Sequence, residues 1–380
     1  MLSDAHWDIQ ICRIPIRTTF WSQGFVRFQA QDGVSSESVQ IIETTYKHIV
    51  LDGDVKDTNK SIGLRITHLL SREILFTSGL TNPYYNVVST SDYRRIVLNR
   101  NGECANSVCN PMDLLRIPLE CLFVTCGIVS FHAACVELSG EAVCFTGDSG
   151  AGKSTRAKAW VDGLGAEFIS GDRPAIRLEE GGNVACGVPW DGKEQIFRNV
   201  ERPLKAILEV RRAPFTRLRR LSYDQACRVA VRQAFIPMWD PDTAALAIAN
   251  VHRLCRTTPV YRLFCGPDVD SARAVHRILF EHPEEIQEEL PEMKIKPGFT
   301  LRHVVDEYMV MPTGDNIKRF GGTVILNEVS AFVFEQLQKP ISREDLLALI
   351  LAEFDVDEPT AAADLDALLE QFRQLELLEE

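Results

Sequence analysis

The residues best suited to carry chemistry form a glycine-rich run near the middle of this 380-residue chain. The run consists of Gly147, Asp148, Ser149, Gly150, Ala151, Gly152, Lys153, Ser154 and Thr155. It fits the pattern GxxxxGK followed by Ser or Thr, in which glycines let backbone N–H groups curl around an anion, the lysine reaches the β and γ phosphates, and the hydroxyl binds Mg²⁺. We therefore predict that these residues bind a nucleoside triphosphate, with Ser154 as a ligand of Mg²⁺.

Strands and a helix flank the run in the arrangement that such a loop requires. Residues 142–146 predict a short buried strand before it, and residues 154–164 predict a helix after it. Further strands are predicted at 129–138 and at 167–170. Strand, loop, helix and strand form the beginning of an α/β sheet, whose ligand site lies at the strand tips.

A nucleotide loop alone does not distinguish a kinase from an ATPase or a GTPase, so the residues on either side of it matter. His132 lies on the predicted strand fifteen residues before Gly147, and Asp172 lies at a strand tip eighteen residues after Ser154. Taken alone, a histidine beside a strand is usually a packed residue, and an aspartate before Arg-Pro is also suited to capping a turn. The sequence contains no guanine-reading NKxD motif and no LSGGQ-type transporter motif, which weakens the GTPase and transport-ATPase interpretations.

The three motifs, in this order and at this spacing, resemble the catalytic domain of HPr kinase/phosphorylase and its relatives among peptide serine kinases. That family has a strand of the form HGxxV, a loop GDSGxGKS and an Asp-Asp-Arg segment, and the resemblance covers roughly residues 126–283. His132 matches the family histidine near the transferred phosphate, the loop matches through Ser154, and Asp172 and Arg173 match the end of the Asp-Asp-Arg segment. The resemblance implies a kinase that uses ATP and Mg²⁺.

Under this resemblance the catalytic residues are Asp172, His132 and Lys153. Asp172 would orient or deprotonate an incoming serine hydroxyl. Together with Ser154 it would also hold Mg²⁺. Lys153 and His132 would stabilise charge on the moving phosphoryl group.

The sequence departs from the family pattern at two positions. Gly171 replaces the first aspartate of the Asp-Asp-Arg segment, and Thr155 replaces a glutamate after the loop serine. The first departure leaves open whether Asp172 is the base or a metal ligand. No clear counterpart of the glycine-rich segment associated with the reverse phosphorylase reaction occurs, which favours a kinase without that reverse activity.

Residues 297–380 resemble the PqqD-like fold, a recognition element of enzymes that modify ribosomally made peptides. The pattern comprises the strand pair FTLRHVVDEYMVM, the segment ILNEVSAFVFEQL and the helices SREDLLALILAEF and DLDALLEQF. Asn327 and Ser342 fit the N-caps of the first two helices, and Pro359 opens the third. The resemblance implies that the leader of a precursor peptide binds here as an added strand. The alternative is a winged-helix domain used for dimerisation or DNA binding.

These patterns divide the chain into four segments. They are a β-rich N-terminal part (1–125), a P-loop HPr-kinase-like catalytic domain (126–283), an acidic linker (284–296) and a PqqD-like peptide-binding domain (297–380). Short β-type runs in the first segment are DIQICRIPI, GFVRFQAQ, SVQIIET, HIVLDG and RRIVLN, and an apolar helix containing Pro118 follows Pro111. The predicted fold class is α/β, with a β-rich part before it and a small winged-helix-like domain after it.

The charge distribution argues against nucleic acid as a partner. The net charge is −12, and residues 281–380 carry 23 Asp and Glu against eight Lys and Arg. A phosphate backbone is repelled by such an acidic surface. The locally basic residues 198–232 leave two interpretations open. They either bind phosphates or an acidic peptide, or they form a solvated face that docks on the acidic domain. The polar loop 187–195 either covers the substrate or is an exposed turn.

Cysteine usage indicates a reducing compartment. Eleven cysteines scatter from Cys12 to Cys265 without CxxC spacing, and their apolar neighbours indicate buried thiols in the cytoplasm. Cys104 and Cys109 are the closest polar pair, but no nearby histidine or third cysteine supports a metal site there. The most apolar stretch, 121–131, is about half as long as a membrane helix, so no membrane partner is expected.

The sequence therefore favours an ATP-dependent kinase that phosphorylates a serine, or another hydroxyl, of a ribosomally made peptide held by its own C-terminal domain. The alternative is a nucleotide-binding chaperone that presents a precursor peptide to a separate enzyme. A small-metabolite kinase would leave the peptide-binding domain without a role. A homo-oligomer is compatible with each of these interpretations.

Overall fold

A computed structural model describes most of the chain, in two compact units. The described residues are 6–30, 38–46, 55–61, 64–69, 72–78, 85–101, 111–190, 196, 198–288, 290–318, 320 and 322–379. One unit comprises residues 1–212 and 216–287, and the other comprises 213–215 and 288–380. The predicted strand HIVLDG, the Cys104 and Cys109 pair and residues 191–195 of the polar loop lie outside the described residues.

The N-terminal part of the first unit forms a single sheet. Its strands are β1 (Trp7–Ile11), β2 (Ile14–Thr18), β3 (Val39–Tyr46), β4 (Val55–Ser61), β5 (Leu64–Leu69), β6 (Glu73–Ser78), β7 (Tyr85–Thr90) and β8 (Arg95–Asn101). Their order across the sheet is β1-β2-β3-β8-β7-β6-β5-β4. Strand β3 runs parallel to β2 and β8, and the other neighbours are antiparallel.

Two of the strand predictions in this part were wrong in detail. The run DIQICRIPI is divided into β1 and β2 by a turn, in which Cys12 and Arg13 take φ values of 51° and 65°. The run GFVRFQAQ begins in a 3₁₀ helix, Gln23–Phe28, and not in a strand. Three residues complete a turn of such a helix, so Phe25 and Phe28 point the same way, and both are fully buried.

Helix α1 (Pro111–Thr125) joins this sheet to the rest of the unit. It begins at Pro111 and contains Pro118, as predicted, and its apolar residues share a core with the N-terminal strands. Trp190 belongs to the same core, because its side chain is only 4% exposed and its ring centroid lies 5.5 Å from that of Phe123. Trp190 therefore fixes one end of the polar loop 187–195 in this core.

The second sheet carries the glycine loop. Its strands are β9 (Ile128–Ser130), β10 (Ala133–Leu138), β11 (Glu141–Thr146), β12 (Glu167–Ser170), β13 (Ala175–Arg177), β14 (Val184–Cys186), β15 (Glu201–Arg212), β16 (Arg217–Arg220) and β17 (Val260–Cys265). The order is β12-β10-β11-β15-β14-β13-β9, with β17 between β15 and β16. Strand β15 is parallel to both β11 and β17, whereas β10 is antiparallel to β11.

Helices cover both faces of this sheet. They are α2 (Lys153–Leu164), α3 (Tyr223–Gln233), α4 (Pro241–Thr257) and α5 (Val269–His276). Alternate strand residues point to opposite faces. Cys144 and Ile207 pack in a core with residues of α3 and α4, while Phe145 and Leu208 pack in another core with residues of α2 and α5. The result is a three-layered α/β arrangement with the loop between β11 and α2.

The single strand predicted at 129–138 was wrong, because the chain changes partners at residues 131 and 132. Strand β9 pairs with β13, whereas β10 pairs with β11 and β12. Between them the N–H of Phe131 donates to the carbonyl of Pro174, and the N–H of His132 donates to the carbonyl of Gln233. This interruption turns the His132 side chain toward the residues that follow β12.

The second unit contains two small sheets and three helices among its described residues. The elements are β18 (Glu292–Ile295), β19 (Phe299–Val304), β20 (Glu307–Pro312), β21 (Val324–Leu326), α6 (Glu328–Gln336), β22 (Ile341–Ser342), α7 (Arg343–Glu353), α8 (Glu358–Gln374) and β23 (Leu378–Glu379). The sheets have the orders β22-β18-β23 and β19-β20-β21. Strand β18 thus lies in the residues suggested as a linker.

Side-chain caps fix where the helices of this unit begin. The Asn327 side chain accepts a hydrogen bond from the N–H of Ser330 at 2.8 Å, and Ser342 Oγ accepts one from Asp345 at 3.1 Å. Both predicted N-caps are therefore confirmed. Helix α8 is capped by Asp357, one residue before Glu358, and Pro359 lies in its first turn.

Among the helices of the residues that the structure describes, none has the length and apolar character needed to cross a lipid bilayer. The nine cysteines that fall within the described ranges are all free thiols, and seven of them are buried.

Candidate nucleotide and phosphoryl-transfer site

The glycine loop has a backbone that only glycine adopts without strain. Gly147 has a φ of 138° and Gly152 a φ of 93°. A Cβ on Gly147 would lie 3.3 Å from the carbonyl oxygen of Val210, and one on Gly152 would lie 2.0 Å from Arg156 Nη1. The loop therefore needs glycine at both positions. Its shape fits an anion cradle that leads into the N-terminus of α2, where helix N–H groups favour negative charge.

Lys153 is the first residue of α2, and its side chain lies back along the loop. Its Nζ donates to the carbonyls of Gly147 at 3.0 Å and Asp148 at 3.3 Å. Burial lowers the pKa of Lys153 from its ordinary value, and the nearby carboxylates of Asp172 and Asp148 partly oppose that lowering. The lysine charge thus lies within electrostatic reach of Asp172. Ser154 follows it in the same helical turn.

Asp172 and His132 face each other beside the loop. Asp172 lies two residues after the end of β12, and its carbonyl accepts a hydrogen bond from the N–H of Ala133 at 2.9 Å. This bond holds the turn after β12 next to the break between β9 and β10. His132 Nε2 lies 3.2 Å from Asp172 Oδ1, and both side chains are about one third exposed. The structure thereby brings together the three candidate catalytic residues.

Positive charge surrounds the Asp172 carboxylate. The hydrogen bond with His132 lowers the pKa of Asp172, burial opposes this, and the charges of His132, Arg173 and Arg116 lower it further. Arg173 Nε lies 3.8 Å from Asp172 Oδ2. Asp172 is therefore ionised at neutral pH, which is the form in which a carboxylate binds a metal ion or accepts a hydrogen bond.

Two residues of α1 that the sequence analysis missed complete this surrounding. Glu120 is fully buried, accepts a hydrogen bond from Ser130 Oγ at 2.6 Å, and binds Arg116 Nη1 at 2.7 Å. Its other neighbour is Arg173, whose Nη1 lies 4.0 Å away. The signal in the sequence was an Arg and a Glu four residues apart in a largely apolar helix. A buried carboxylate thus orients two arginines near Asp172.

Glu209 is the second acidic residue that the sequence analysis missed at this end of the sheet. It lies opposite Thr146 in the parallel register of β11 and β15. Its carboxylate accepts hydrogen bonds from Arg262 Nε at 2.8 Å and from Arg211 Nη2 at 2.9 Å. Burial alone would raise the pKa of Glu209, but the charges of Arg262 and Arg211 outweigh burial and lower it. Glu209 is therefore a structural anion, while Asp172 is the more exposed carboxylate.

Much of the basic run 198–232 is used in ion pairs within the first unit. Arg198 binds Glu137 at 2.9 Å and Glu167 at 2.6 Å, and Arg202 also binds Glu137. These side chains hold β10, β12 and β15 together. They do not form a free basic face. Arg212 differs, because it donates to the carbonyl of Gly150 in the glycine loop.

The donor atoms beside the loop suit Mg²⁺, which prefers hard oxygen ligands and usually keeps substrate phosphates among them. Ser154 supplies a hydroxyl and Asp172 an ionised carboxylate. Within the described ranges, no group of three or more His, Cys, Asp or Glu side chains is placed to bind a metal ion. The ion would therefore depend on the phosphates of a nucleotide as well as on these two residues.

A groove in the second unit lies among its three helices and has a volume of about 600 Å³. The apolar side chains that line it include Val329, Val333, Ile350, Phe354, Leu365 and Leu368, and Asp355 and Asp364 add negative charge. The neighbouring strand β21 lies at one edge of its sheet, since among the described residues it pairs only with β20. An extended peptide could add to such an edge.

The second unit matches a known protein family. The sequence model of the family described as coenzyme PQQ synthesis protein D (PqqD) matches residues 307–378. The C-terminal part of this chain is a PqqD domain. The match begins in β20 and extends through α8, so the groove and the β21 edge both belong to the PqqD domain. It does not reach the glycine loop, and the HPr-kinase-like character of residues 126–283 stays a prediction.

Two solved structures are similar to part of the chain. TbiB1 in complex with the TbiA(β) leader peptide is 28% identical, and the likeness covers 23% of this chain and 94% of that chain with a TM-score of 0.20. Lasso peptide synthetase B1 complexed with the leader peptide is 18% identical, covering 23% and 99%, with a TM-score of 0.21. No curated protein matches the chain.

Proposed function

We propose that this chain is an ATP-dependent kinase that transfers the γ-phosphate to a serine hydroxyl of a ribosomally made peptide, whose leader binds the PqqD domain. Residues 126–283 would then be the HPr-kinase-like catalytic domain. The observation that carries the proposal is the ionised Asp172 beside His132 and Lys153 at a glycine loop shaped for phosphates. Orientation of an acceptor hydroxyl by this carboxylate is the role that a kinase needs beyond nucleotide and Mg²⁺ binding.

Each residue has a defined part in the transfer. Backbone N–H groups of the loop and the Lys153 ammonium hold the β and γ phosphates. Asp172 accepts a hydrogen bond from the acceptor hydroxyl and takes its proton as the new P–O bond forms. The bond from the γ phosphorus to the bridging oxygen breaks, and its electron pair leaves with ADP. His132 holds the Asp172 carboxylate in place and would stabilise charge on the moving phosphoryl group as a hydrogen-bond donor.

Mg²⁺ would be held by the Ser154 hydroxyl and the Asp172 carboxylate, and when bound it would neutralise charge on the phosphates. The low pKa of Asp172 suits this ligand role, because the carboxylate stays ionised well below neutral pH. Gly171 leaves the site without a second carboxylate at the neighbouring position. We therefore assign both tasks, hydroxyl orientation and metal binding, to Asp172.

The PqqD domain supplies the peptide. A leader segment would add as a strand beside β21 and place apolar side chains in the groove among α6, α7 and α8. Asp355 and Asp364 line that groove, so a leader with Lys or Arg next to its apolar residues fits it best. Free thiols throughout the described residues suit the reducing cytoplasm, where we place the reaction.

Replacing Phe354 with alanine should weaken leader binding about tenfold, because a large apolar surface would be lost from the groove. Isothermal titration of the full chain with the leader of a peptide encoded beside its gene measures the affinity. Val304→Ala is the matched control, since Val304 is 47% exposed on β19, the strand farthest from the β21 edge. Equal affinities of Phe354→Ala and the unaltered protein would exclude this groove as the binding site.

The test of the proposed function is incubation of the protein with Mg²⁺, ATP and the peptides encoded beside its gene, followed by mass spectrometry. We expect one peptide to gain a phosphate on a serine while ADP forms in equal amount. Intact ATP together with an unmodified but tightly bound peptide would instead support a nucleotide-binding chaperone that presents the peptide to another enzyme.

A further inference from the structure

Strand β15 brings its last residues alongside the glycine loop. It runs parallel to β11, with Glu209 opposite Thr146. One residue further along, Gly147 lies next to Val210, and a Cβ on the glycine would be 3.3 Å from the valine carbonyl oxygen. The residues after Val210 therefore follow the loop itself, and they are Arg211 and Arg212.

The two arginines have different surroundings. Arg211 binds the Glu209 carboxylate at 2.9 Å, so its guanidinium has an anionic partner within the protein, which it shares with Arg262. Arg212 is exposed, and it donates through Nη2 to the carbonyl of Gly150. Within the part of the chain that the structure describes, no carboxylate pairs with Arg212. A guanidinium charge therefore lies on the glycine loop without a balancing anion.

The other arginine at the loop cannot reach a ligand. Arg156 is buried, and its guanidinium donates to the carbonyls of Cys265 at 2.9 Å and Ala151 at 3.4 Å. It supports the loop from the protein side. Arg212 is attached to the loop by one neutral carbonyl, which is a weaker partner for a guanidinium than a phosphate that it can bind through two parallel hydrogen bonds.

We propose that Arg212 binds the terminal phosphate of the nucleoside triphosphate and leaves the Gly150 carbonyl when it does so. The inference rests on the proposed nucleotide site, because loops of this pattern enclose the β and γ phosphates. Arg212 forms and breaks no covalent bond. It stabilises the charge that spreads over the γ-phosphate oxygens during transfer, as an arginine supplied by the same chain, and it distinguishes ATP from ADP.

The test compares the affinities for ATP and ADP, measured by isothermal titration with Mg²⁺, in the full-length protein and in Arg212→Ala. Losing charge-assisted hydrogen bonds to one phosphate should weaken ATP binding about 10- to 100-fold and leave ADP binding within about twofold. Arg212→Lys should recover part of the ATP affinity, because a lysine keeps the charge but not the paired geometry. Arg220→Ala is the control, since Arg220 is an exposed arginine at the far end of β16.

The outcomes separate this proposal from the proposed function. Equal weakening of ATP and ADP would show that Arg212 only shapes the loop, and unchanged affinities would show that it does not touch the nucleotide; either result overturns the proposal. A protein that binds neither nucleotide would overturn both ideas. If ATP binds but no peptide is phosphorylated, the kinase assignment fails, while the difference between ATP and ADP still decides the role of Arg212.

Discussion

Replacing Asp172 with asparagine should slow phosphoryl transfer about 10³-fold while ATP still binds. Asparagine keeps the size of the side chain and its contact with His132, but it carries no charge and takes up no proton. The serine hydroxyl that receives the phosphate then no longer has a negatively charged carboxylate to accept its hydrogen bond, and Mg²⁺ loses a ligand. Single-turnover transfer with saturating ATP measures the rate, and isothermal titration measures the affinity for ATP.

Asp162→Asn is the matched control for this variant. Asp162 lies on α2, and it is an exposed carboxylate paired with Lys158 at 3.4 Å. We expect that control to transfer phosphate at the unaltered rate. Near-normal turnover of Asp172→Asn would remove Asp172 from the mechanism, and loss of ATP binding together with turnover would assign it a role in binding only.

The second large effect concerns stability. Replacing Arg262 with methionine should lower the free energy of unfolding of the first unit by about 3 kcal/mol at neutral pH, because Glu209 would lose one of its two arginine partners while still buried. Urea denaturation followed by tryptophan fluorescence measures this change. All five tryptophans belong to residues 1–287, so the signal reports the first unit alone.

The pH dependence of this effect has a definite sign. In the unaltered protein the pKa of Glu209 is lowered, so its contribution to stability is present above the ordinary pKa of a glutamate and is lost as the pH falls. In Arg262→Met we expect burial, the largest influence on this group, to outweigh the remaining arginine and raise that pKa. The stability lost through the substitution should therefore shrink as the pH is lowered and Glu209 of the variant takes up a proton before that of the unaltered protein.

A second substitution provides the control for that experiment. Adding Glu209→Gln to Arg262→Met removes the unbalanced charge and should recover much of the lost stability. If the double variant were less stable than Arg262→Met, the loss would come from packing around Arg262, and the account of a buried charge pair would be wrong.

The sequence predicted the features that depend on neighbouring residues. The strand, glycine loop and helix around Lys153 are set by local pattern, and so are the N-caps Asn327 and Ser342. It failed where distant segments decide the outcome. The strand containing His132 breaks because its two halves pair with different strands, and Trp190 is buried because α1 offers Phe123 as a partner.

The same limit applies to the site. Asp172 and His132 were identified from motifs, but the motifs did not show how positive charge gathers around Asp172. Arg116 and Glu120 come from α1, before the predicted catalytic domain, and they reach the site only through folding. The spacing of Arg116 and Glu120 indicates that these two side chains pair, but it does not show that Glu120 also lies beside Arg173. The tertiary structure is needed to distinguish a structural anion such as Glu209 from the accessible Asp172.

A crystal structure of the protein with Mg²⁺ and a slowly hydrolysed ATP analogue tests the central claim most directly. We predict that the triphosphate lies in the loop from Gly147 to Thr155, with its γ-phosphate near Lys153 and facing Asp172. A loop without bound phosphates at saturating analogue, or a γ-phosphate that points away from Asp172, would contradict the claim that this site transfers phosphate to a hydroxyl.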